Sequence, residues 1–368
     1  MSHHLARVRI RAAALVAGVS LALASCAGAP TATPPSGTAT AAPATASASG
    51  STELTVVTHD SFHLSEDLLA KFKTETGLDV TFVAPGDAGT LTNQLVLTKD
   101  SPLGDVVFGI DNTFAGRALA EGIIAPSAST ALPAADAEAL KADDSGRLVP
   151  VDFGDVCVNA DTAWFKEHGK AVPATLDDLA DPQYADLLVV PNAATSSPGL
   201  AFLVATVGAK GDPGWVDYWK QLKDNGVLVA KDWTEAYTVQ FSGSTGKGPR
   251  PLVLSYSTSP AFESVDGQEP PTTSLLQTCF RQVEYAGVIE GAANPDGAQK
   301  FIDFLLSPEV QADIPGQMYM YPAVRGTELP AEWVKYAPLS DAPFQVPAEE
   351  IAAQRDGWLR TWTSTVIG

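Results

Sequence analysis

The chain has 368 residues, with 43 acidic against 23 basic side chains and a formal charge of −20 at pH 7. So acidic a chain argues against nucleic-acid binding and accords with a cationic ligand. The part after residue 51 is long enough for two lobes rather than one.

The chain opens with Arg7, Arg9 and Arg11, followed by the apolar run Ala12–Ala24. That run has the length of a signal-peptide core and is too short for a bilayer span. Leu23-Ala24-Ser25-Cys26 resembles the lipobox of bacterial lipoproteins. The resemblance implies a signal peptide over 1–26, removed to leave Cys26 as the acylated N-terminus. Residues 27–51 hold Ala, Thr, Pro, Ser and Gly without a large apolar side chain. Such a tract cannot offset its ordering entropy, and it reads as a disordered spacer. No later segment reads as a bilayer span. The expected body is therefore extracytoplasmic, held to the outer face of the membrane through a lipid on Cys26.

Leu54–Thr58 is a short β-rich run. Ser65 then reads as a helix cap, with Glu66 and Asp67 in the first turn, Leu68, Leu69 and Phe72 on one face, and Gly77 as the stop. A strand over Leu78–Val83, a helix over Thr90–Leu97, the buried strand "DVVFGID" and a helix closing on Gly122 follow. Strand and helix alternating with short loops predict a mostly parallel sheet covered by helices, with ligands beyond the strands' carboxyl ends. Those ends carry His59-Asp60-Ser61 and Asp111-Asn112.

"LVPVDFGDVCVN" reads as a strand leaving the first lobe, and "CFRQVEYAGVIEGA" as one returning to it. Between them lie a strand–turn–helix in "DLLVVPNAATSSPGLAFLVATVG", the helix "GWVDYWKQLKDNG" and the strand "PLVLSYSTSPAF". Toward the C-terminus, Asn294 caps a helix whose face is Ala298, Phe301, Ile302, Leu305 and Leu306. The last helix carries Trp358, Leu359, Trp362 and Val366 at core spacing. Beyond Cys26 the cysteines are Cys157 and Cys279. An exported body favours their pairing; two buried thiols that never meet are the alternative.

Enzyme signatures are missing. "GSTGKGP" imitates a phosphate loop, but Gly248 stands where Ser or Thr is required and Phe241 where the first Gly belongs. No GxSxG and no HExxH occurs. His59 and His63 precede the helix cap, so a metal-binding helical face is not implied. The expectation is a chain without catalytic residues, metal or cofactor.

Polar residues at strand ends point instead to binding. The Ser196–Gly199 turn opens an apolar helix, and there it either holds an anion on backbone N–H groups or is a plain cap. Trp233 and Tyr237, four apart in "KDWTEAYTVQF", either clamp a flat cationic ring or pack inward from an amphipathic helix.

"NPDGAQKFIDFLLSPEVQ" resembles a stretch recurring in extracytoplasmic solute-binding proteins of iron, polyamine and thiamine ABC importers. "THDSF", "DVVFGIDN", "VPVDFGDVCVN", "TSSPGLAF", "DWTEAYTVQF", "LSYSTSPAF", "QVEYAG" and "MYPAV" extend the resemblance from Leu54 onward, nearest to the thiamine-binding members. It implies an α/β periplasmic-binding-protein fold of two lobes, each a mostly parallel sheet flanked by helices, joined by hinge strands. The lobes would be 52–156 with 284–368, and 157–283. It also implies a monomer that takes thiamine or its phosphate esters into the interlobe cleft and hands them to a permease and its ATPase.

Carried over by position, Asp60, Ser61, Asp111 and Asn112 form the first lobe's share of the site. Ser196 and Ser197 form the phosphate-side turn, and Trp233, Tyr237, Tyr256, Ser257 and Tyr319 the aromatic and polar wall. His59 stands where relatives carry Tyr, and Tyr319 where a Trp is seen. Cys157 and Cys279 fall on the two lobe-crossing strands, where a disulfide would brace the hinge. A binding protein for ferric iron or a polyamine is the alternative within the same fold. An enzyme using Asp155 or Glu284 is a rival of another class, and nothing places those two carboxylates opposite each other.

Overall fold

In the computed structural model, which describes residues 52–127 and 129–368, the β-rich runs become strands of one 10-stranded sheet. They are β1 (Glu53–His59), β2 (Asp79–Gly86), β3 (Val106–Asp111), β4 (Val149–Asp161), β5 (Leu188–Pro191), β6 (Leu228–Ala230), β7 (Leu252–Tyr256), β8 (Thr272–Ser274), β9 (Phe280–Val288) and β10 (Tyr321–Pro322). Their order is β2-β1-β3-β9-β4-β7-β5-β6, with β8 and β10 paired to β4.

The two wings follow the expectation from strand–helix alternation. β1 is parallel to β2 and β3, and β5 is parallel to β6 and β7. The middle is made of the expected crossing strands. β9 is antiparallel to β3 and β4, and β4 is antiparallel to β7. The reason is the route of the chain. β4 is 13 residues long and leaves one wing for the other, and β9 comes back along it. Crossing strands that go out and return run in opposite directions, so the sheet is mixed.

The helix Glu66–Thr76 ends at Gly77, whose φ of 72° is the left-handed conformation a C-cap requires. Its expected cap bond is absent: the Ser65 hydroxyl donates to Asp313 Oδ1 at 2.6 Å, and its oxygen accepts from Gln317 Nε2 at 3.0 Å rather than from a backbone N–H. Phe72 of this helix meets Phe301 edge-on at 5.4 Å. That contact docks the helix Pro295–Leu305, whose buried Ala298, Phe301, Ile302 and Leu305 follow helical spacing. The Asn294 side chain caps it by accepting from the Gly297 N–H at 3.0 Å.

In the helix Ser197–Lys210 every residue from Ser197 to Val207 is buried, as an apolar helix with core on all sides must be. The C-terminal helix Ala348–Trp362 ties the two wings. Its Ala352 lies against Gly116 so closely that a Cβ there would come within 2.5 Å of the Ala352 Cβ. Its Trp362 packs edge-on against Trp219 at 5.5 Å. Burying each such ring is worth about 1.5–3 kcal/mol.

Cys157 and Cys279 form a disulfide, both buried, linking β4 to the residue before β9. Among the described residues no helix is long and apolar enough to cross a membrane. The lipidation expected at Cys26 lies outside the described residues.

Candidate functional site

β1 and β3 end at His59 and Asp111, and β7 ends at Tyr256, so their carboxyl ends converge as in other open α/β sheets. Above them lies a cavity of about 240 Å³. One wall is aromatic. The Asp232 side chain accepts from the Glu235 N–H at 2.8 Å and starts a short helix, which widens into a π-turn over Ala236–Gln240. That turn sets the rings of Trp233 and Tyr237 face to face, with centroids 5.3 Å apart and planes 14° apart.

Both rings are pinned by their polar ends. Trp233 Nε1 donates to Ser255 Oγ at 2.9 Å, and the Tyr237 hydroxyl donates to Glu263 Oε1 at 2.9 Å. Burial pushes the Tyr237 phenol upward, helped by the Glu263 carboxylate, so it stays a neutral donor. Tyr319, at φ 57°, sets its ring edge-on to Phe262 at 4.6 Å. Met318 and Met320 flank it in the cavity wall.

The remaining wall is acidic. Asp87 and Glu284 line it together with His59. The Ser61 N–H donates to His59 Nδ1 at 3.2 Å, which reserves that lone pair and leaves Nε2 toward Glu284 Oε2, 3.7 Å away. Burial opposes charge on the His59 ring, but the carboxylates of Glu284, Asp87 and Asp60 outweigh it and raise its pKa. Burial also raises Asp87, against the pull of hydrogen bonds from Ser196, Ser197 and Ala88.

Directly behind this wall sit Asp111 and Asp152, both fully buried. Burial, with the Glu284 carboxylate adding to it, pushes Asp111 up to about 6 despite bonds from Ser197 and Thr113. Asp152 lies well above the usual carboxylate range, first from burial and then from Glu284 beside it.

Of the residues expected from the sequence, the cavity brings together Ser61, Ser197, Trp233, Tyr237, Tyr256 and Tyr319. Five others lie elsewhere. Asp60 is exposed, turned outward where its N–H bonds Gly86 O. Asp111 sits beneath the wall and accepts from the Ser197 hydroxyl. Ser196 is wholly buried below the turn. Asn112 faces a separate cavity behind the sheet, donating to Arg281 O at 3.0 Å. Ser257 is buried, with its N–H bonded to Asp155 O.

The Ser196–Gly199 turn is not a side-chain cap, since Ser196 makes no cap hydrogen bond. It starts a helix, and anions do meet it, but they are this chain's own carboxylates. Asp87 Oδ1 accepts from the Ser197 N–H at 3.0 Å, and Asp111 takes the Ser197 hydroxyl. Asp87 comes from the first wing and Ser197 from the second, so this contact spans the cleft.

Sequence reasoning passed over Asp87. Its signal was an Asp just before a helix, which it caps by accepting from the Ala88 N–H at 2.7 Å. The sequence suggests Glu284 only as a rival enzymatic acid and does not set Asp152 beside it. Their signal was strand alternation: Asp152 pairs with Glu284 across β4 and β9, on the cavity face. Asp155, one of the rival acids, is on the other face, bonded by Arg281 at 2.7 and 2.9 Å. Asp155 and Glu284 therefore do not form a catalytic pair.

The family model described as bacterial extracellular solute-binding protein matches residues 101–355. The chain is 31% identical over 320 residues to a thiamine-binding periplasmic protein of Escherichia coli (strain K12), spanning 85% of this chain and 93% of the relative. A thiamine-binding periplasmic protein of Brucella abortus biovar 1 is also 31% identical, over 84% of this chain and 91% of its own. The solved structure of a periplasmic thiamin binding protein superposes with a TM-score of 0.75 and 29% identity, covering 85% of this chain and 96% of that one.

Proposed function

The chain belongs to the bacterial extracellular solute-binding proteins, and from that premise we propose that it is the substrate-binding component of an ABC importer for thiamine and its phosphate esters. It binds without a chemical step and without a cofactor. The observation that carries the reading is a stacked Trp233–Tyr237 pair in one cavity with the carboxylates of Asp87 and Glu284. Thiamine is a permanent cation built from two flat rings. A ring face against its thiazolium contributes about 2 kcal/mol when desolvated, and the acidic wall supplies the opposite charge.

The lobes 52–156 with 284–368, and 157–283, close over the ligand by bending at β4 and β9. The Asp87–Ser197 contact across the cleft supports this motion, since it is made only when the wings are together. The protein works as a monomer outside the cell membrane, lipid-anchored through Cys26, and passes its cargo to a permease and its ATPase.

Calorimetric titration of ligand-stripped protein tests the reading, with thiamine, thiamine monophosphate, ferric citrate and spermidine tried in turn. One-to-one, submicromolar binding of thiamine is expected. Binding of ferric citrate or spermidine with no heat from either thiamine species, on protein shown to be folded and empty, would replace thiamine with that solute.

A further inference from the structure

Neither carboxylate oxygen of Asp152 has a hydrogen-bond donor, although the side chain has no exposed surface. Its cross-strand neighbour is Glu284, another carboxylate. Two buried acceptors side by side are tolerable when they share a proton, which turns the repulsion into a hydrogen bond. Glu284 has little other support. Oε1 accepts from Gln282 Nε2 at 3.1 Å, and Oε2 lies 3.7 Å from His59 Nε2. Glu284 forms part of the cavity surface and Asp152 does not, so the pair reaches from the wall a ligand would touch to just behind it.

Taking the reading above as its basis, we infer that Asp152 is a charge-selecting positioning residue: it shares a proton with Glu284 in the empty site, and a cationic ligand expels that proton to solvent. A cation against Glu284 does the work the proton did, so the pair becomes fully ionised as the site fills. A neutral ring of similar shape does no such work and leaves the proton in place. The other titratable groups facing the pair are His59 at the end of β1, Asp87, Asp111 at the end of β3 and Tyr256 on β7. Asp87 and Asp111 act in the same sense as Asp152, His59 acts in the opposite sense because the neighbouring carboxylates raise its pKa, and Tyr256 stays neutral because burial, then the surrounding carboxylates, holds its phenol far up.

The test is calorimetry at pH 6.5 in two buffers that differ in ionisation enthalpy, with thiamine as the cationic probe and thiochrome, its neutral tricyclic oxidation product, as the control. Thiamine is expected to release protons, with a heat that depends on the buffer and an affinity that rises with pH by at most about tenfold per unit for each proton released. Thiochrome heats, where binding occurs, should not depend on buffer. Asp152→Asn keeps the shape and supplies a fixed donor to Glu284, so it should lower the number of protons released.

An infrared difference spectrum of the unmutated protein gives a readout independent of folding in the variant: a protonated-carboxyl band should vanish on adding thiamine. Thiamine binding with buffer-independent heat and no lost carboxyl band would overturn the inference while leaving the ligand in place. Undiminished proton release in folded Asp152→Asn would overturn it as well. No thiamine binding at all would instead remove the functional reading on which it rests.

Discussion

The His59 ring turns its Cδ2 edge toward Gly109, so that a Cβ at 109 would come 2.2 Å from His59 Cδ2. Gly109 also holds φ at 98°, a region open to glycine and strained for other residues. The two facts together fix where the imidazole stands at the cavity wall. Gly109→Ala is expected to cost about 1–3 kcal/mol of stability and to displace His59 from Glu284. Denaturant midpoints measure the first effect. Loss of thiamine affinity in protein that remains folded measures the second.

Trp233→Ala removes one face of the stacked pair and leaves Ser255 without its indole donor. Binding of a thiazolium should weaken by roughly tenfold to thirtyfold, the equivalent of about 2 kcal/mol. Trp233→Phe keeps a ring face and should recover part of the loss. Equal affinities in all three proteins, read by calorimetry, would mean that the ligand does not lie on this ring.

Asp111 makes stability depend on pH in a direction opposite to that of a salt-bridged carboxylate. Its pKa rises from 3.8 to about 6 in the folded chain, chiefly through burial. The folded state therefore holds more protons than the unfolded one between those values. Its contribution to stability is greatest below pH 4 and is lost as pH rises toward 6, by at most a few kcal/mol in total. Asp111→Asn should flatten this part of the profile, and urea midpoints of both proteins at pH 4.5 and 7.5 compare the slopes.

The disulfide joins residues 122 apart in sequence. Cross-linking so long a loop restricts the unfolded chain, and its removal typically costs about 2–5 kcal/mol. The double substitution Cys157→Ala, Cys279→Ala should lower the denaturant midpoint accordingly while both parallel wings remain. An unchanged midpoint would show that the bond contributes nothing to stability.

The wings of the sheet were legible because their strands and helices alternate over short local distances, and each helix carries its own start and stop. Ser65, Gly77 and Asn294 mark boundaries that the structure keeps, even though Ser65 spends its hydroxyl on Asp313. The opposite directions of β4 and β9 were legible, as one strand leaving and one returning, but hydrophobic alternation does not say that the two pair with each other or in what register. At the site, Trp233 and Tyr237 were visible because four-residue spacing puts two rings on one helical side. The acid wall was not, because Asp87, Asp152 and Glu284 come from three distant segments. Only the register of β4 with β9 brings the latter two together. Asp60 and Asn112 show the converse, adjacent in sequence to cavity or strand-end residues yet turned away by one step of backbone.

The sheet order also sets a schedule for a chain made from its N-terminus. β3 takes its second neighbour from β9, pairing Val106 with Val288. The helix that covers this wing, with Phe301 against Phe72, is made later still. The first-emerging strands thus lack an edge partner and a lid until most of the polypeptide has followed them out. The early segment is an unfinished sheet edge, open to wrong partners until the far end of the chain is delivered.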